Sequence, residues 1–187
     1  VVVAPGFKQI IAADWRLRHF TSIPEAEVVS IDRERKSVSV RFLSSGESLE
    51  HKYDKLVIAT GSEPNRPPFS IPDDPRVRSF TRPEDARHFR SLAEKGQVGR
   101  AVIVGGGFIG CELAEATASL WGIETALIEK EDQLLPYVLD PEMADLVGAE
   151  MRRQDVEIHT GAAVGSIDLE GDDLVVRIDG RDPITTD

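Results

Sequence analysis

The strongest constraint on the fold of this chain lies in residues 100–130, where a strand, a glycine-rich turn, a helix and a second strand follow one another. The apolar run 102–104 predicts a strand buried on both faces. Three glycines with the spacing G-x-G-x-x-G come directly after it: Gly105, Gly107 and Gly110. A helix that ends at Gly122 and an apolar strand over 125–128 complete the unit. This order predicts a βαβ unit of the Rossmann type that binds a dinucleotide.

The three glycines have separate physical roles in such a unit. Gly105 permits the tight turn, Gly107 lets a pyrophosphate approach the backbone, and Gly110 lets the helix pack close to the strand. The helix N-terminus adds N–H groups and about half a positive charge, which favour phosphate binding. The predicted apolar face of the helix consists of five residues: Ile109, Leu113, Ala116, Thr117 and Leu120.

Glu129 follows the second strand at roughly the distance of about 20 residues that is typical of a ribose-binding carboxylate. Its carboxylate would accept hydrogen bonds from the adenosine ribose hydroxyls and would repel a 2′-phosphate. The sequence therefore favours NAD over NADP. The cation of Lys130 weakens this preference, because it would tolerate the extra phosphate.

The composition is that of an ordinary globular protein, with 41% hydrophobic and 29% charged residues among 187. The net charge of −11 argues against nucleic acid or an anionic membrane as a partner, because both would repel the chain. No segment approaches the roughly 18 consecutive apolar residues of a membrane span, and no signal peptide is recognisable. The single cysteine excludes an internal disulfide, so a reducing cytoplasm is the expected compartment.

The N-terminal part predicts a small antiparallel β-meander with strands over 28–31, 38–42 and 49–51. Before it, residues 6–14 are compatible with a short helix. Three nearby residues are candidates for the core: Trp15, Leu17 and Phe20. After it, the apolar run 56–59 predicts a buried strand that ends on a Thr-Gly turn.

Five prolines between residues 62 and 75 indicate a linker without regular structure. Thr81 and Glu84 predict a capping box for a helix over 82–95. The apolar face of this helix has three members: Ala86, Phe89 and Ala93.

A further helix is predicted to begin at Asp140 as N-cap and Pro141 as first residue. A strand over 156–160 and a hairpin over 164–169 and 174–178 follow. The order βαβαβ plus a hairpin, preceded by the meander, predicts an α/β fold with a parallel sheet at its centre.

Four features of this chain carry a resemblance that is more specific than any one motif: the stretches 53–64, 104–114 and 128–136, and residues 140–143 together with the strand 156–160. In order and spacing they resemble the pyridine nucleotide–disulfide oxidoreductase family, over roughly residues 25–187. Within it, the closest resemblance is to NADH oxidases, NADH peroxidases and coenzyme A–disulfide reductases. The resemblance implies a partial FAD-binding domain over residues 1–78 and an NAD(P)-binding Rossmann domain over 79–187.

The family begins with its own FAD-binding glycine motif and redox-active cysteine, and nothing before Val28 supplies either. Residues 183–187 resemble the lead-in to a strand that would complete the NAD domain. The chain is therefore expected to be an internal piece of a longer enzyme, incomplete at the C-terminal end of its NAD domain, or alternatively a natural remnant.

The resemblance implies that NAD(P)H, with NADH favoured, and FAD are the cofactors. Residues Ala59, Thr60 and Gly61 would approach the FAD. The nucleotide would contact the glycine turn and the end of the second strand, at eight residues: Gly105, Gly106, Gly107, Phe108, Ile109, Gly110, Glu129 and Lys130. Glu112 is the implied catalytic residue, because in the family this glutamate lies beside the nicotinamide.

Plainer interpretations remain open for several of these residues. Phe108 and Ile109 are equally compatible with packing in the core, and Glu112 with the favourable position of an acid in a first helical turn. Cys111 is reactive if the helix N-terminus lowers its pKa, but a small buried hydrophobe is the commoner role. The four histidines lack ligand-like spacing, so no metal site is expected: His19, His51, His88 and His159.

The function implied is transfer of hydride from NAD(P)H to flavin and on to a disulfide, peroxide or oxygen acceptor. The intact enzyme is expected to form a homodimer through a domain outside this chain, and the chain alone to be inactive. The alternatives are a nucleotide-binding sensor that retains only the fold and, more remotely, a dehydrogenase with a single Rossmann domain.

Overall fold

The computed structural model describes residues 2–4 and 21–187. The chain divides into two compact units, Val1–Ser62 and Glu63–Asp187. The predicted short helix over 6–14 lies outside the described residues. The same holds for the three candidate core residues near it: Trp15, Leu17 and Phe20. Among the described residues, no helix is long and apolar enough to cross a membrane.

The first unit contains the predicted meander. Its three antiparallel strands are β3 (Ala26–Asp32), β4 (Ser37–Phe42) and β5 (Ser48–Lys52), with β4 in the centre. Two short strands precede them and pair in parallel: β1 (Val2–Ala4) and β2 (Ser22–Pro24). Ala26 of β3 and Val38 and Val40 of β4 form the small hydrophobic core of the meander. The prediction of a meander is therefore confirmed.

The buried strand predicted over 56–59 is wrong, since these residues form no strand. Val57 is 85% exposed and Ile58 is 67% exposed. A strand exists only where a neighbouring strand satisfies its N–H and C=O groups, and no described strand lies beside this segment. The apolar run is therefore exposed, in spite of its high strand propensity.

The second unit is built on a parallel sheet with strands β6 (Arg100–Val104), β7 (Glu124–Ile128) and β8 (Val156–His159), in that order. Helix α1 (Pro83–Glu94) precedes the sheet, α2 (Phe108–Trp121) connects β6 to β7, and α3 (Pro141–Arg153) connects β7 to β8. The predicted βαβαβ order is confirmed. Gly122 ends α2 in a left-handed conformation with φ of +63°, and the Asp140 carboxylate caps α3 by accepting from the N–H of Met143.

The central strand is β7, and it is buried at four of its five positions. Strand β6 was predicted to be buried on both faces, and this is right in part: Ile103 and Val102 pack against two different hydrophobic clusters, but neither is fully buried. Its residues are half-buried and Val104 is 44% exposed, because β6 lies at the edge of the described sheet with β7 as its one neighbour.

A second, antiparallel sheet packs in the same unit. Its strands are β9 (Val164–Glu170), β10 (Asp173–Ile178) and β11 (Ile184–Thr186), with β10 in the centre. The predicted hairpin is confirmed as β9–β10, and the end of the chain adds β11 to it. Ala126 and Ile128 of β7 pack with Val176 and Ile178 of β10, so one core joins the two sheets.

The proline-rich linker is irregular, as predicted, yet it is attached to the second sheet. Ser70 forms a β-bridge with Ser166, and the Ser70 carbonyl accepts a hydrogen bond from the N–H of Ile167 at 2.9 Å. The Arg76 guanidinium contacts the Asp74 carboxylate and donates to the Asp172 carbonyl at 2.7 Å. These bonds fix the linker against the β9–β10 hairpin.

The cap of α1 differs from the prediction. Arg82, not Thr81, is the N-cap residue, and the acid that reaches back is Asp85 rather than Glu84. The Asp85 carboxylate accepts from the N–H groups of Thr81 (3.1 Å) and Arg82 (2.8 Å), whereas Glu84 pairs with Arg87. The helix begins one residue later than the capping box implied, because Pro83 takes the first helical position.

We expect Asp85→Ala to lower the melting temperature by about 2 °C at neutral pH, because it removes the acceptor for two backbone N–H groups. Glu84→Ala is the matched control and should change it less. The backbone hydrogen bond from Arg82 lowers the pKa of Asp85 below its ordinary 3.8. The stabilisation is therefore complete above pH 3.8 and is lost as the pH falls through the lowered value. Thermal melts of both variants from pH 7 to pH 3 test this, and equal effects of the two substitutions would contradict it.

Candidate functional site

The candidate site is the turn between β6 and α2, and its glycines have distinct environments. Gly105 has φ of +111°, in the left-handed region that favours glycine, and its N–H donates to the Ile128 carbonyl at 2.7 Å. A Cβ on Gly107 would meet no atom within 4 Å, so the turn is open to solvent there. Gly107 is also the N-cap of α2, which places the free N–H groups of the first helical turn beside this opening.

Gly106 and Gly110 are closely packed instead. A Cβ on Gly110 would lie 1.8 Å from the Gly105 carbonyl oxygen, so the helix approaches the turn at a distance that only glycine permits. A Cβ on Gly106 would lie 2.7 Å from Leu134 and 2.9 Å from the Cβ of Glu129. Gly106 and Gly110 therefore allow close packing behind the turn, while Gly107 leaves the outer surface of the turn open.

Glu129 lies against this turn. Its side chain is only 7% exposed, one carboxylate oxygen accepts from the Gly106 N–H at 2.6 Å, and the other accepts from the Glu131 N–H at 2.9 Å. The structure thus brings the glycine turn and the predicted ribose-binding acid into direct contact. A carboxylate oxygen can accept more than one hydrogen bond, so these two backbone bonds do not use the full accepting capacity of Glu129.

The N-terminal part of α2 exposes Phe108 and Ile109 in its first turn and Glu112 in the next turn. Phe108 is 62% exposed and Ile109 is 59% exposed, so the alternative prediction that these two side chains pack in the core is wrong. Glu112 is exposed as well. An exposed aromatic, an exposed aliphatic and an acid at the N-terminus of a helix leave this end of the site available to a ligand.

The predicted apolar face of α2 is not its buried face. The residues that contact the sheet side are Gly110, Cys111, Ala114 and Thr117, whereas Ile109 and Leu120 are exposed. Small residues on the buried face allow the close helix-to-sheet approach that Gly110 requires. Of the predicted face, Thr117 alone is fully buried.

Sequence reasoning missed an open apolar groove of about 480 Å³ between α1 and α2. Its lining includes six apolar residues: Phe80, Phe89, Phe108, Ile109, Leu113 and Trp121. The rings of Phe80 and Phe89 pack edge to face, with centroids 6.5 Å apart. The sequence did contain one indication of this groove, the apolar face predicted for α1. No residue of α1 is fully buried in the structure, so this face stays open.

Cys111 is buried in the core behind the turn, and its Sγ lies 3.5 Å from the Gly106 carbonyl oxygen. Burial raises the pKa of this thiol above its ordinary value, and the negative charges of Glu129 and Glu112 add to the effect. The helix N-terminus therefore does not activate this cysteine, and its position is that of a small core residue.

We expect Cys111 to react with a thiol reagent such as dithionitrobenzoate at least roughly tenfold more slowly than free cysteine at pH 7, because little thiolate is present and access is blocked. Denatured protein provides the control, since the exposed thiol should then react at the ordinary rate. Rapid modification of the folded protein would contradict the buried position of Cys111.

The predicted FAD-contacting residues belong to the other unit. Ala59, Thr60 and Gly61 are exposed, and Gly61 has φ of +81°. No backbone hydrogen bond joins this stretch to another described residue. Lys130, the last of the predicted nucleotide contacts, is exposed and lies directly beside Glu129 in sequence.

Within residues 2–4 and 21–187, no group of three or more His, Cys, Asp or Glu side chains could hold a metal ion. Of the histidines, His159 lies 2.9 Å from the Glu157 carboxylate. His19 falls outside the described residues.

A dinucleotide site built from a glycine turn, a helix N-terminus and a strand-end acid is found in many Rossmann proteins, so a comparison over most of the chain decides the family. Residues 8–187 match the family described as pyridine nucleotide-disulphide oxidoreductase. The chain belongs to this family. The resemblance, the α/β fold with its Rossmann-type unit, and the family's NAD(P)H and FAD cofactors are thereby confirmed.

Relatives with known names agree with this assignment. An NADH oxidase of Methanocaldococcus jannaschii is 28% identical over 89% of this chain and 37% of its own length. The structure of an NAD-dependent persulfide reductase from A. fulgidus matches 89% of this chain and 30% of its own, with 35% identity and a TM-score of 0.75. The chain thus spans about a third of the length of these relatives.

Two further structures carry a nicotinamide nucleotide. The water-forming NADH oxidase of Lactobacillus brevis, bound to NADH, matches 88% of this chain and 36% of its own, with 27% identity and a TM-score of 0.74. An engineered NADPH oxidase made from it, bound to NADPH, matches with 26% identity and a TM-score of 0.71, over 88% of this chain and 36% of its own. Its five substitutions include an aspartate changed to alanine and the next residue, an alanine, changed to arginine.

Proposed function

We propose that this chain is the NAD(P)H-binding part of a FAD-dependent oxidoreductase and that NADH is its preferred nucleotide. The observation that carries the proposal is the contact between the glycine turn and the Glu129 carboxylate, at 2.6 Å from the Gly106 nitrogen. This contact supports the proposal, because a dinucleotide site needs a phosphate-binding turn and a ribose acceptor side by side.

The pyrophosphate would lie over Gly107, where the turn is open, and accept hydrogen bonds from the N–H groups at the start of α2. The adenosine ribose would donate its hydroxyl hydrogens to the free lone pairs of Glu129. Gly105, Gly106 and Gly110 hold the turn in this shape through a positive φ and close packing.

The nicotinamide end would lie near Phe108 and Ile109, whose exposure leaves two apolar contacts for a flat ring. Glu112 is exposed one helical turn further along α2 and would lie beside the nicotinamide ring. The bound flavin supplies the chemistry of accepting a hydride, and the protein supplies position and charge. The exposed backbone of Ala59, Thr60 and Gly61 is available to approach that flavin.

We expect Glu129→Gln to weaken NADH binding by about tenfold and to leave NADPH binding nearly unchanged, because the lost charge no longer repels a 2′-phosphate while ribose acceptance is reduced. The engineered NADPH oxidase agrees with this logic, since an acid was removed there and a cation introduced beside it. Calorimetric titration with both nucleotides measures the ratio, and a thermal melt controls for folding. An unchanged ratio of the two dissociation constants would overturn the role of Glu129.

The terminal acceptor is proposed only as a class: a disulfide or persulfide, peroxide, or oxygen. The relatives include an NADH oxidase and a persulfide reductase, so the family supports more than one. We also propose that the complete enzyme is a cytoplasmic homodimer whose dimer contacts lie outside this chain. A nucleotide sensor without turnover is the less favoured function, because the relatives compared above are named as oxidoreductases.

A further inference from the structure

A second acid lies beside the proposed ribose site and contacts the cation there. The Glu131 carboxylate is 3.3 Å from the Lys130 ammonium, and the Tyr137 hydroxyl lies 3.4 Å from the same oxygen. The hydrogen bond and charge of Glu131 raise the pKa of Lys130 above its usual value. Lys130 is therefore charged and paired with Glu131.

The backbone of Glu131 is held in place on both sides. Its N–H donates to the Glu129 carboxylate at 2.9 Å, and its carbonyl accepts from the Gly161 N–H at 2.7 Å. The side chain of Glu131 therefore starts from a fixed point next to the ribose-binding acid. The ion pair itself is exposed, so it is this fixed backbone that holds the Glu131 carboxylate near Lys130.

One other cation near this point, Arg181, is engaged by backbone carbonyls. The Arg181 guanidinium donates to the carbonyls of Thr160 and Gly161, at 2.7 Å and 3.2 Å. Asp132 lies next to Gly161 and adds a further negative charge. A 2′-phosphate would thus meet Glu129, Glu131 and Asp132, with Lys130 as the nearest cation in sequence.

We propose that Glu131 is a specificity-determining residue that keeps Lys130 paired and so prevents it from accepting the 2′-phosphate of NADPH. This inference rests on the proposed nucleotide site and extends it. Lys130 follows the ribose-binding acid directly, where a free cation would favour NADPH. Glu129 and Glu131 together carry two negative charges against the one positive charge of Lys130, and a net negative site repels a phosphate.

The test is a double-mutant cycle measured by calorimetric titration with NADPH and NADH. Glu131→Gln should lower the NADPH dissociation constant about fivefold and change the NADH value by less than about twofold. In a Lys130→Met background, the same Glu131→Gln change should improve NADPH binding by less than about twofold, because no cation is released. Asp132→Asn is the matched control for lost negative charge and should have less than half the effect of Glu131→Gln.

Three outcomes would overturn the inference: an unchanged NADPH affinity in Glu131→Gln, an undiminished gain in the Lys130→Met background, or an equal gain in Asp132→Asn. The last two would mean that acids here act by general repulsion. Failure of the proposed function itself is distinguishable, because the wild-type protein would then bind neither nucleotide before any variant is compared.

Discussion

Gly110→Ala is expected to lower the free energy of unfolding of the second unit by about 3 kcal/mol, because its methyl group would lie 1.8 Å from the Gly105 carbonyl oxygen. That neighbour is backbone, so the turn or the start of α2 has to move. The displaced turn would also separate Gly106 from Glu129, and nucleotide binding should fall with stability. Denaturant unfolding measures the first effect and calorimetry the second.

Gly148→Ala is the matched control for this substitution. Gly148 is a buried glycine inside α3, but a Cβ there would first meet the end of the Arg152 side chain, at 3.2 Å, and that end can move. We expect this variant to be neutral or to gain up to about 1 kcal/mol from the better helix propensity of alanine. Equal losses at the two positions would contradict the close approach at Gly110.

Gly107→Val is expected to weaken NADH binding at least about 100-fold while leaving the fold intact. A Cβ at this position meets nothing within 4 Å, and the φ of −81° is one that valine adopts. The valine side chain would occupy the open face of the turn, where the pyrophosphate would otherwise contact the backbone. The melting temperature should fall by no more than about 3 °C, since valine is a poorer N-cap than glycine.

The two glycine variants separate packing from binding. Gly110→Ala should lose stability and binding together, whereas Gly107→Val should lose binding alone. If Gly107→Val binds NADH as tightly as the wild-type protein, the nucleotide does not lie over this turn.

The sequence was sufficient for the order of elements because each βα connection carries its own signals. The glycine spacing, the αL glycine at residue 122 and the Asp140–Pro141 cap are local features, and all three agree with the structure. The local sequence did not show which side of α2 is buried, because apolar residues occur on more than one side of this helix. One signal was available but unused: a glycine needed for close packing also identifies the sheet-facing side, and Ala114 and Thr117 lie on that side with Gly110.

The site was predictable in part for the same reason. The glycine turn and Glu129 follow from spacing, but the bond between Gly106 and Glu129 joins residues from different strand ends. The strand expected over 56–59 failed because its formation depends on a partner strand, and propensity does not supply one. The pairing of Lys130 with Glu131 could not be predicted from spacing, because it depends on side-chain positions, and the effect of Lys130 on nucleotide preference stays a prediction.

Amide NMR during titration with NADH shows directly whether the turn over residues 105–110 and the Glu129 carboxylate bind the nucleotide. We expect the largest chemical-shift changes at the N–H groups of Gly106, Gly107, Phe108 and Glu131. ADP-ribose should reproduce the shifts at the turn, because it retains the pyrophosphate and the ribose. Shifts centred on other parts of the chain, or saturation with NADH without a change at Gly107, would mean that the nucleotide does not bind at this turn.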